Sequence, residues 1–472
     1  MKKLLYTFVA MSLLLSMVSC DDKEDVTLPD ISVGFTTTDI GYDGSNASED
    51  ISITLSRAAS VAITAEITIA GTDVEYGTDF TTTPAASSNK LSVTIAAGQT
   101  SASFTIAAVE DVLFDGEESV KFTISSLSVN EGVKIGDKRE AVLTFGAIVS
   151  EGETLILNGK TDEEVYFNSV YLDFSNNRPT LAPRKSWHLG FWCGDEFLVS
   201  LNGANAMAAT PSAKSDITTV TEADANALLS TEFDLNANPM GGTFDESIFD
   251  TSDGSLAGLS IGAISATDAD NAVYFVASGD DKVSGSTSEW YKVKITRKGE
   301  GYSIKYAKVG STDVQSVDIP KKTGYNFTFF SLTTGTIVNA EPEAEKWDIK
   351  WSYDAGYATS MGAPMYMFMQ DFVSINNLGG ASVARVDVTG EATFDSFGAS
   401  GIAVLTFSTD RDAVGDRWRT VGMSGSGGVK TDHFYVLKDP AGNYYKFRFT
   451  RFGVNSDGAE RGRPEVEYKL IK

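Results

Sequence analysis

The chain is rich in carboxylates and poor in histidine, and this imbalance limits the chemistry that it could perform. It has 64 Asp and Glu residues but only two histidines, His188 and His433. A nucleophilic triad needs a histidine base, and no H-E-x-x-H metal motif is present. Paired carboxylates can cleave glycosidic bonds, but their abundance here makes them uninformative without geometry. The sequence therefore predicts a protein that is not an enzyme.

The two cysteines belong to different parts of the chain. Cys20 ends the segment MKKLLYTFVAMSLLLSMVSC, whose basic start and apolar stretch are typical of a secretory signal peptide over residues 1–19. The residues before Cys20 resemble a bacterial lipobox, which implies that Cys20 carries lipid and anchors the protein to the outer membrane. The alternative is an ordinary signal peptide with an incidental cysteine. Cys193 lies in the apolar stretch GFWCGDEF and is predicted to be a core residue.

Charge narrows the possible partners. The formal net charge of -26 excludes nucleic acid, because binding to a phosphate backbone needs basic contacts. Residues 20–30 are predicted to be an acidic tether, and the run DDKED resembles the surface-export signal of Bacteroidetes lipoproteins. That resemblance implies an anchored protein facing the exterior of the cell, whereas the alternative is a solvated linker.

The elements that position any site are predicted to be strands. Residues 31–150 contain short runs such as ISITLS and SVKFTISSL, in which apolar and polar residues alternate between Gly-, Asp- and Asn-rich turns. This alternation is typical of an immunoglobulin-like β-sandwich. Beyond it tryptophan first occurs and the loops lengthen, which indicates further domains. The predicted fold class is all-β.

The first β-sandwich resembles the Calx-beta domain. The resemblance rests on GTDVEYGTDF, a strand, a G-Q-T turn and the acidic loop EDVLFDGEESVKF. In calcium-binding members, carboxylates from this loop and from the GTDF strand end meet at one tip, and calcium prefers such oxygen ligands. The resemblance implies calcium ligands at Asp79, Glu110, Asp111, Asp115 and Glu118. The alternative is a spacer without calcium, since the acidic run that usually ends these domains is missing.

Several strand patterns occur twice in the rest of the chain. Two aromatic hairpins are predicted at 271–295 and 431–449. Segments 169–192 and 326–351 each contain an aromatic strand, a polar turn, a short strand, a charged linker and a Trp-led strand. Because the same order of elements occurs twice, the sequence predicts a duplication with units 153–320 and 321–472.

The second unit resembles the HmuY family, which are haem-binding surface lipoproteins of Bacteroidetes. The resemblance rests on FFSLTTGTIVN, WDIKW, HFYVLKDPAGNYYKFRF and PEVEYKLI, and the first unit is similar through WHLGFW, VYFVASGDD and WYKVKI. It implies two HmuY-like β domains that bind haem or a related ligand for uptake. It also implies two axial ligands to the haem and a TonB-dependent receptor as partner.

Candidate haem ligands come from the methionines. Haem iron needs a His or Met side chain on each face, and neither histidine matches a family ligand position. Met423, five residues after Trp418, matches one. A substitute for the second comes from SMGAPMYMFMQ, where a spacing of two places three methionines on one strand face: Met365, Met367 and Met369. Met207 and Met240 are further options, and the alternative for each is a core methionine.

A second functional hypothesis needs no haem. In it the protein is a surface module that binds glycan or protein, as an adhesin does. Its contact surface would be built from aromatic faces, because tryptophan rings stack on flat ligands. The candidates are the six tryptophans of the chain, Trp187, Trp192, Trp290, Trp347, Trp351 and Trp418.

Overall fold

The computed structural model describes residues 29–42, 47–110, 112–147, 149–236, 244–277, 279, 283–360, 363–421, 427–454 and 457–472. The chain divides into two compact units between Ile148 and Val149. The predicted signal peptide, Cys20 and most of the acidic tether lie outside the described residues. No helix within these ranges is long and apolar enough to cross a membrane.

The first unit is a β-sandwich, as predicted. Its strands in chain order are β1 (Ile31–Phe35), β2 (Asp39–Tyr42), β3 (Glu49–Leu55), β4 (Ile63–Thr72), β5 (Phe80–Thr83), β6 (Lys90–Ile95), β7 (Ser101–Ala108), β8 (Ser119–Leu127), β9 (Val133–Ile135) and β10 (Glu140–Phe145). One sheet has the order β5-β7-β3-β1-β9 and the other β2-β10-β8-β4-β6. In β4 every second side chain from Ile63 to Ile69 is buried, which produces the alternation seen in the sequence.

The second unit is also built from strands. In chain order they are β11 (Gly152–Ile156), β12 (Asn168–Asp173), β13 (Arg178–Pro183), β14 (Leu189–Trp192), β15 (Leu198–Leu201), β16 (Ala208–Pro211), β17 (Gly262–Ala263), β18 (Val273–Ala277), β19 (Tyr291–Lys298), β20 (Gly301–Lys308), β21 (Gln315–Ile319), β22 (Phe327–Ser331), β23 (Thr336–Val338), β24 (Ile349–Ser360), β25 (Ala363–Ile375), β26 (Ser382–Asp387), β27 (Arg419–Val421), β28 (Gly427–Val429), β29 (His433–Lys438), β30 (Tyr444–Arg451) and β31 (Glu465–Leu470). Two short helices accompany them, α1 (Glu222–Asn226) and α2 (Ala399–Ile402). The all-β fold class is confirmed.

Four sheets of this unit surround two apolar cores. Sheets β11-β31-β30-β29-β26 and β13-β12-β24-β25 enclose one core, which contains Trp351, Trp418 and Phe447. Sheets β17-β15-β14-β22-β23 and β16-β18-β19-β20-β21 enclose another, which contains Phe191 and Phe330. Both predicted aromatic hairpins are present, as β18–β19 and β29–β30.

The predicted tandem units 153–320 and 321–472 are not confirmed, because the two halves exchange elements. Hairpin β12–β13 of the first half pairs with β24 of the second, with Leu172 opposite Ile349. Hairpin β22–β23 of the second half pairs with β14 of the first, with Phe330 opposite Leu189. The charged linker after each hairpin therefore leads into the other sheet, and Val149–Lys472 form one compact unit.

Matching hydrogen bonds form at the two places where the halves exchange elements. The backbone N–H of Asp348 donates to Leu172 O at 2.8 Å, and that of His188 donates to Phe330 O at 2.9 Å. The Asp348 carboxylate then accepts from Phe174 N at 2.7 Å. The His188 Nδ1 accepts from the matching amide of Leu332 at 3.2 Å. His188 and Asp348 thus occupy equivalent positions, so the repeat in the sequence corresponds to a repeat in space.

Candidate functional site

One long hairpin extends beyond the sheet to which it belongs in the second unit. Strands β24 and β25 pair within their sheet from Ile349 to Ser352, and the register then shifts between Ser352 and Asp354. Beyond the shift the two strands pair only with each other, from Asp354 opposite Met369 to Ser360 opposite Ala363. We call residues 354–369 the first arm. A bulge of this kind redirects a strand out of its sheet.

The two faces of the first arm differ. Tyr366 and Phe368 pack on Phe249, with ring centroids 5.4 and 5.2 Å apart, and so fix one face to the protein. Because side chains alternate along a strand, Met367 and Met369 lie on the opposite face. Met369 is buried, whereas Met367 is half-buried. Opposite Met367 stands Gly356, where a Cβ atom would lie 2.7 Å from the Phe372 ring. The side chain of Met365 lies outside the described residues.

A second, shorter hairpin starts beside the first arm. Strands β27 and β28 pair from Arg419 opposite Val429 to Val421 opposite Gly427, and we call residues 419–429 the second arm. The chain before it lies against β25, because Gly415 pairs with Val373 and Trp418 Nε1 donates to Asp371 O at 3.0 Å. Met423 belongs to the connection between the two strands, which lies outside the described residues.

A buried polar cluster lies where the two arms meet. Its centre is Asp371, whose side chain has no exposed surface and whose φ of 55° is unusual for a non-glycine residue. The carboxylate Oδ2 lies 2.6 Å from Arg461 Nη2 and 3.9 Å from Arg419 Nε, and it accepts a hydrogen bond from the Tyr166 hydroxyl at 2.9 Å. We call these four residues the basal cluster.

The basal cluster has more positive than negative charge. Within the cluster two guanidinium groups face one carboxylate, while the Asp416 carboxylate acts on Arg419 from outside it; burial is the main cause that lowers the pKa of Arg419. Three buried atoms of this cluster, Asp371 Oδ1, Arg419 Nε and Arg461 Nη1, have no hydrogen-bond partner among the residues that the structure describes. Unsatisfied polar atoms in a native interior call for an explanation, such as a ligand or ion nearby.

Both histidines have structural partners. His188 Nδ1 accepts from Leu332 N, and its Nε2 lies 3.4 Å from Thr333 Oγ1. His433 is buried, with Nδ1 2.6 Å from Asp432 Oδ1 and Nε2 3.0 Å from the Tyr435 hydroxyl. Burial is the main cause that lowers the pKa of His433. Both rings are therefore held in place by the fold, as a structural role requires.

The predicted calcium ligands that the structure describes are Asp79, Glu110, Asp115 and Glu118 of the first unit. Val109 N donates to Asp79 O at 2.9 Å, which brings Glu110 beside that strand end. The Glu118 carboxylate accepts from the amides of Asp115 and Gly116, so the loop already satisfies part of it. Asp111 lies outside the described residues. Among those described, no group of three His, Cys, Asp or Glu side chains is placed to hold a metal ion.

The remaining sequence candidates are structural where they are described. Cys193 is half-buried and its Sγ accepts from Lys322 N at 3.2 Å. Met207 is buried in a core, and Met240 lies outside the described residues. No tryptophan is exposed: four are buried, and Trp187 and Trp192 are half-buried. The tryptophans therefore form no open stacking surface.

One motif was missed in the sequence. Gly258–Gly262 reads G-L-S-I-G, the spacing of a nucleophile elbow, which requires a strand, a sharp turn and a helix. Here a 3-10 turn precedes the segment and the short strand β17 begins at its end. The Ser260 hydroxyl donates to Ala209 O at 3.1 Å. The segment therefore lacks the context that would expose a serine nucleophile.

The sequence pattern did not predict the basal cluster either. Its members are far apart in sequence, and only R-W-R at 417–419 gave a signal, as paired arginines in an acidic chain.

Comparison with known protein families gives a match that lies within the second unit. A family model described as HmuY protein matches residues 165–468. No curated protein matches the chain. The apo-form Calx CBD1 domain is 17% identical, with 25% of this chain and 96% of that chain covered and a TM-score of 0.22. A Bacteroides ovatus protein whose proposed role is carbohydrate binding is 11% identical, with 73% and 97% covered and a TM-score of 0.21. These scores are too low to support an argument about this chain.

Proposed function

The chain belongs to the HmuY family, and from this premise we propose that it binds haem or a related ligand for uptake at the cell surface. In this proposal the lipid on Cys20 anchors the protein to the outer membrane, and a TonB-dependent receptor takes the cargo. The observation that carries the proposal is the pair of arms, which start side by side at Asp371 and each contain a methionine beyond that point.

Each part of the site has a role in this proposal. Thioether sulfur is an accepted axial ligand for haem iron, and Met367 is half-buried on the arm face opposite Tyr366 and Phe368. Met423 on the second arm is the proposed ligand for the other haem face, with Met365 and Met369 as alternatives to Met367. The excess positive charge of the basal cluster suits a cargo that carries carboxylates, because guanidinium groups bind carboxylates in two-point geometry.

The first test is a haem titration of residues 21–472, followed by absorbance in both iron redox states. We expect a saturable low-spin spectrum, because two strong axial ligands produce that spin state. M423L and M367L keep the side-chain volume but remove the sulfur, so each should weaken binding at least about tenfold. M207L is the matched control, since it makes the same change in a core that contains no residue of either arm.

The variants distinguish the candidate ligands on the first arm, and the spectrum tests whether haem is the cargo. If M365L or M369L weakens binding and M367L does not, the ligand on the first arm is reassigned. A spectrum identical to that of free haem would exclude haem as the cargo. The adhesion hypothesis would then need a contact surface other than the tryptophans.

A further inference from the structure

A groove lies on the second unit between hairpin β12–β13 and the linker that follows β23. Its volume is about 510 Å³. This volume falls within the range of small-molecule sites. Arg178, Thr180 and Leu181 come from the hairpin side, and Asn339 to Glu343 from the linker side. Both walls are therefore products of the element exchange that joins the two halves of this unit.

Two tyrosines supply the aromatic surface of the groove. Tyr171 is buried at the floor, where its ring meets Trp347 edge-on at a centroid distance of 5.1 Å. Tyr325 is half-buried in the wall, with Lys322 Nζ 5.3 Å from its ring centroid. Aromatic side chains combine an apolar face with a polar hydroxyl, so they suit a ligand that has both kinds of surface.

One carboxylate in the groove has unused hydrogen-bonding capacity. Glu341 Oε1 accepts from Asn326 Nδ2 at 3.2 Å, and the same Nδ2 lies 3.2 Å from Asn376 Oδ1. Asn376 in turn donates to Ala344 O and Trp347 O, so the side chain that contacts Asn326 is itself held in place. An ionised carboxylate can accept about four hydrogen bonds, and among the described residues Asn326 supplies the single one that Glu341 receives. Burial raises the pKa of Glu341 to about 7.

The charges of the lining residues nearly balance. Arg178 and Lys346 are opposed by Glu341 and Glu343, and because the pKa of Glu341 is raised to about 7 the net charge at neutral pH lies between zero and +1. An anionic ligand would face the two carboxylates, and a cationic ligand would face the two bases. A purely apolar ligand would leave polar groups desolvated and unpaired, which is costly. The combination favours a neutral ligand with many hydroxyl groups and an apolar face.

We propose that this groove binds a neutral saccharide of one or two sugar rings, with Tyr325 against the ring face and Glu341 accepting from its hydroxyls. The groove is lined by none of the arm or basal-cluster residues. The proposal is therefore independent of haem binding, and either one can fail without the other.

The test is saturation-transfer NMR on residues 21–472, followed by calorimetry, with glucose, galactose, N-acetylglucosamine, cellobiose, lactose and chitobiose as probes. We expect at least one probe to bind with a Kd of about 0.1–10 mM, which is a weak interaction of the kind a shallow site provides. Y325A and E341Q should each weaken that binding at least about tenfold. The matched control is E345Q, because Glu345 is exposed on the same linker and does not line the groove.

Thermal unfolding of each variant shows whether it is folded before binding is measured. E341Q preserves side-chain shape, so it keeps the test valid if Y325A does not fold. If no probe binds at 20 mM, the proposal is overturned. It is also overturned if E341Q and E345Q bind a probe with equal affinity.

Discussion

At the residue scale, a buried carboxylate lies at the register shift where the first arm begins. Asp354 has no exposed surface, and its Oδ2 lies 2.6 Å from Lys350 Nζ. Its Oδ1 accepts from Ala355 N at 2.9 Å and lies 3.9 Å from Arg411 Nη2. Burial acts to raise the pKa of Asp354, but Lys350 and Arg411 together lower it to about 2. The ionised form is therefore the one that the fold needs.

We expect D354N to lower the free energy of unfolding by about 1–3 kcal/mol, because it leaves the partly buried Lys350 and Arg411 without the carboxylate that they share. Urea unfolding at pH 7 measures this change. The control is D387N, which removes an exposed partner of Arg385 and should cost less than about 1 kcal/mol. If D354N and D387N lowered the free energy of unfolding by equal amounts, the stabilising role given to Asp354 would be wrong.

The same residue predicts a pH dependence. Because the folded-state pKa of Asp354 is lower than its ordinary value of 3.8, its contribution is fully present above that value. The contribution is lost as the pH falls towards about 2. D354N should not show this particular loss, so the stability difference between wild type and variant should shrink between pH 5 and pH 2.

At the element scale, the first arm is anchored to the protein through Tyr366. The Tyr366 hydroxyl donates to Asp250 O at 2.9 Å and its ring stacks on Phe249. Tyr357 pairs with Tyr366 in the strand register, so residues 358–365 lie beyond this anchor. Removing residues 358–365 therefore leaves these two contacts of Tyr366 in place.

Replacing residues 358–365 by Asn-Gly should keep the fold and reduce haem affinity. Asn-Gly forms the two-residue turn that closes directly paired strands. We expect the thermal midpoint to change by less than about 5 °C. Haem affinity should fall at least about tenfold, because the shortened arm covers less of the ligand. A folded variant with unchanged haem affinity would show that residues 358–365 take no part in binding.

At the scale of the whole molecule, the strands could be predicted and their partners could not. Alternation in segments such as β4 predicted the all-β class, because one face of each strand is buried. The exchange of β12–β13 and β22–β23 has no such signal. All side chains of β12 and β22 are buried, so neither strand shows the one-sided alternation that would indicate its partner.

In the candidate site, too, one part could be predicted from the sequence and another part could not. The methionines were found because their spacing of two is a local property of β25. The basal cluster joins Asp371 to Tyr166 and Arg461, which are distant in sequence and come together through strand order alone. Local patterns carry no information about such contacts, so this part of the site required the three-dimensional arrangement.

The central claim is that methionine sulfur from the two arms holds haem, and iron K-edge X-ray absorption of the haem complex tests it most directly. We predict sulfur in the first coordination shell of the iron in wild type and in M207L. That signal should be reduced in M367L and in M423L. A first shell made only of nitrogen and oxygen in the wild-type complex would contradict the account.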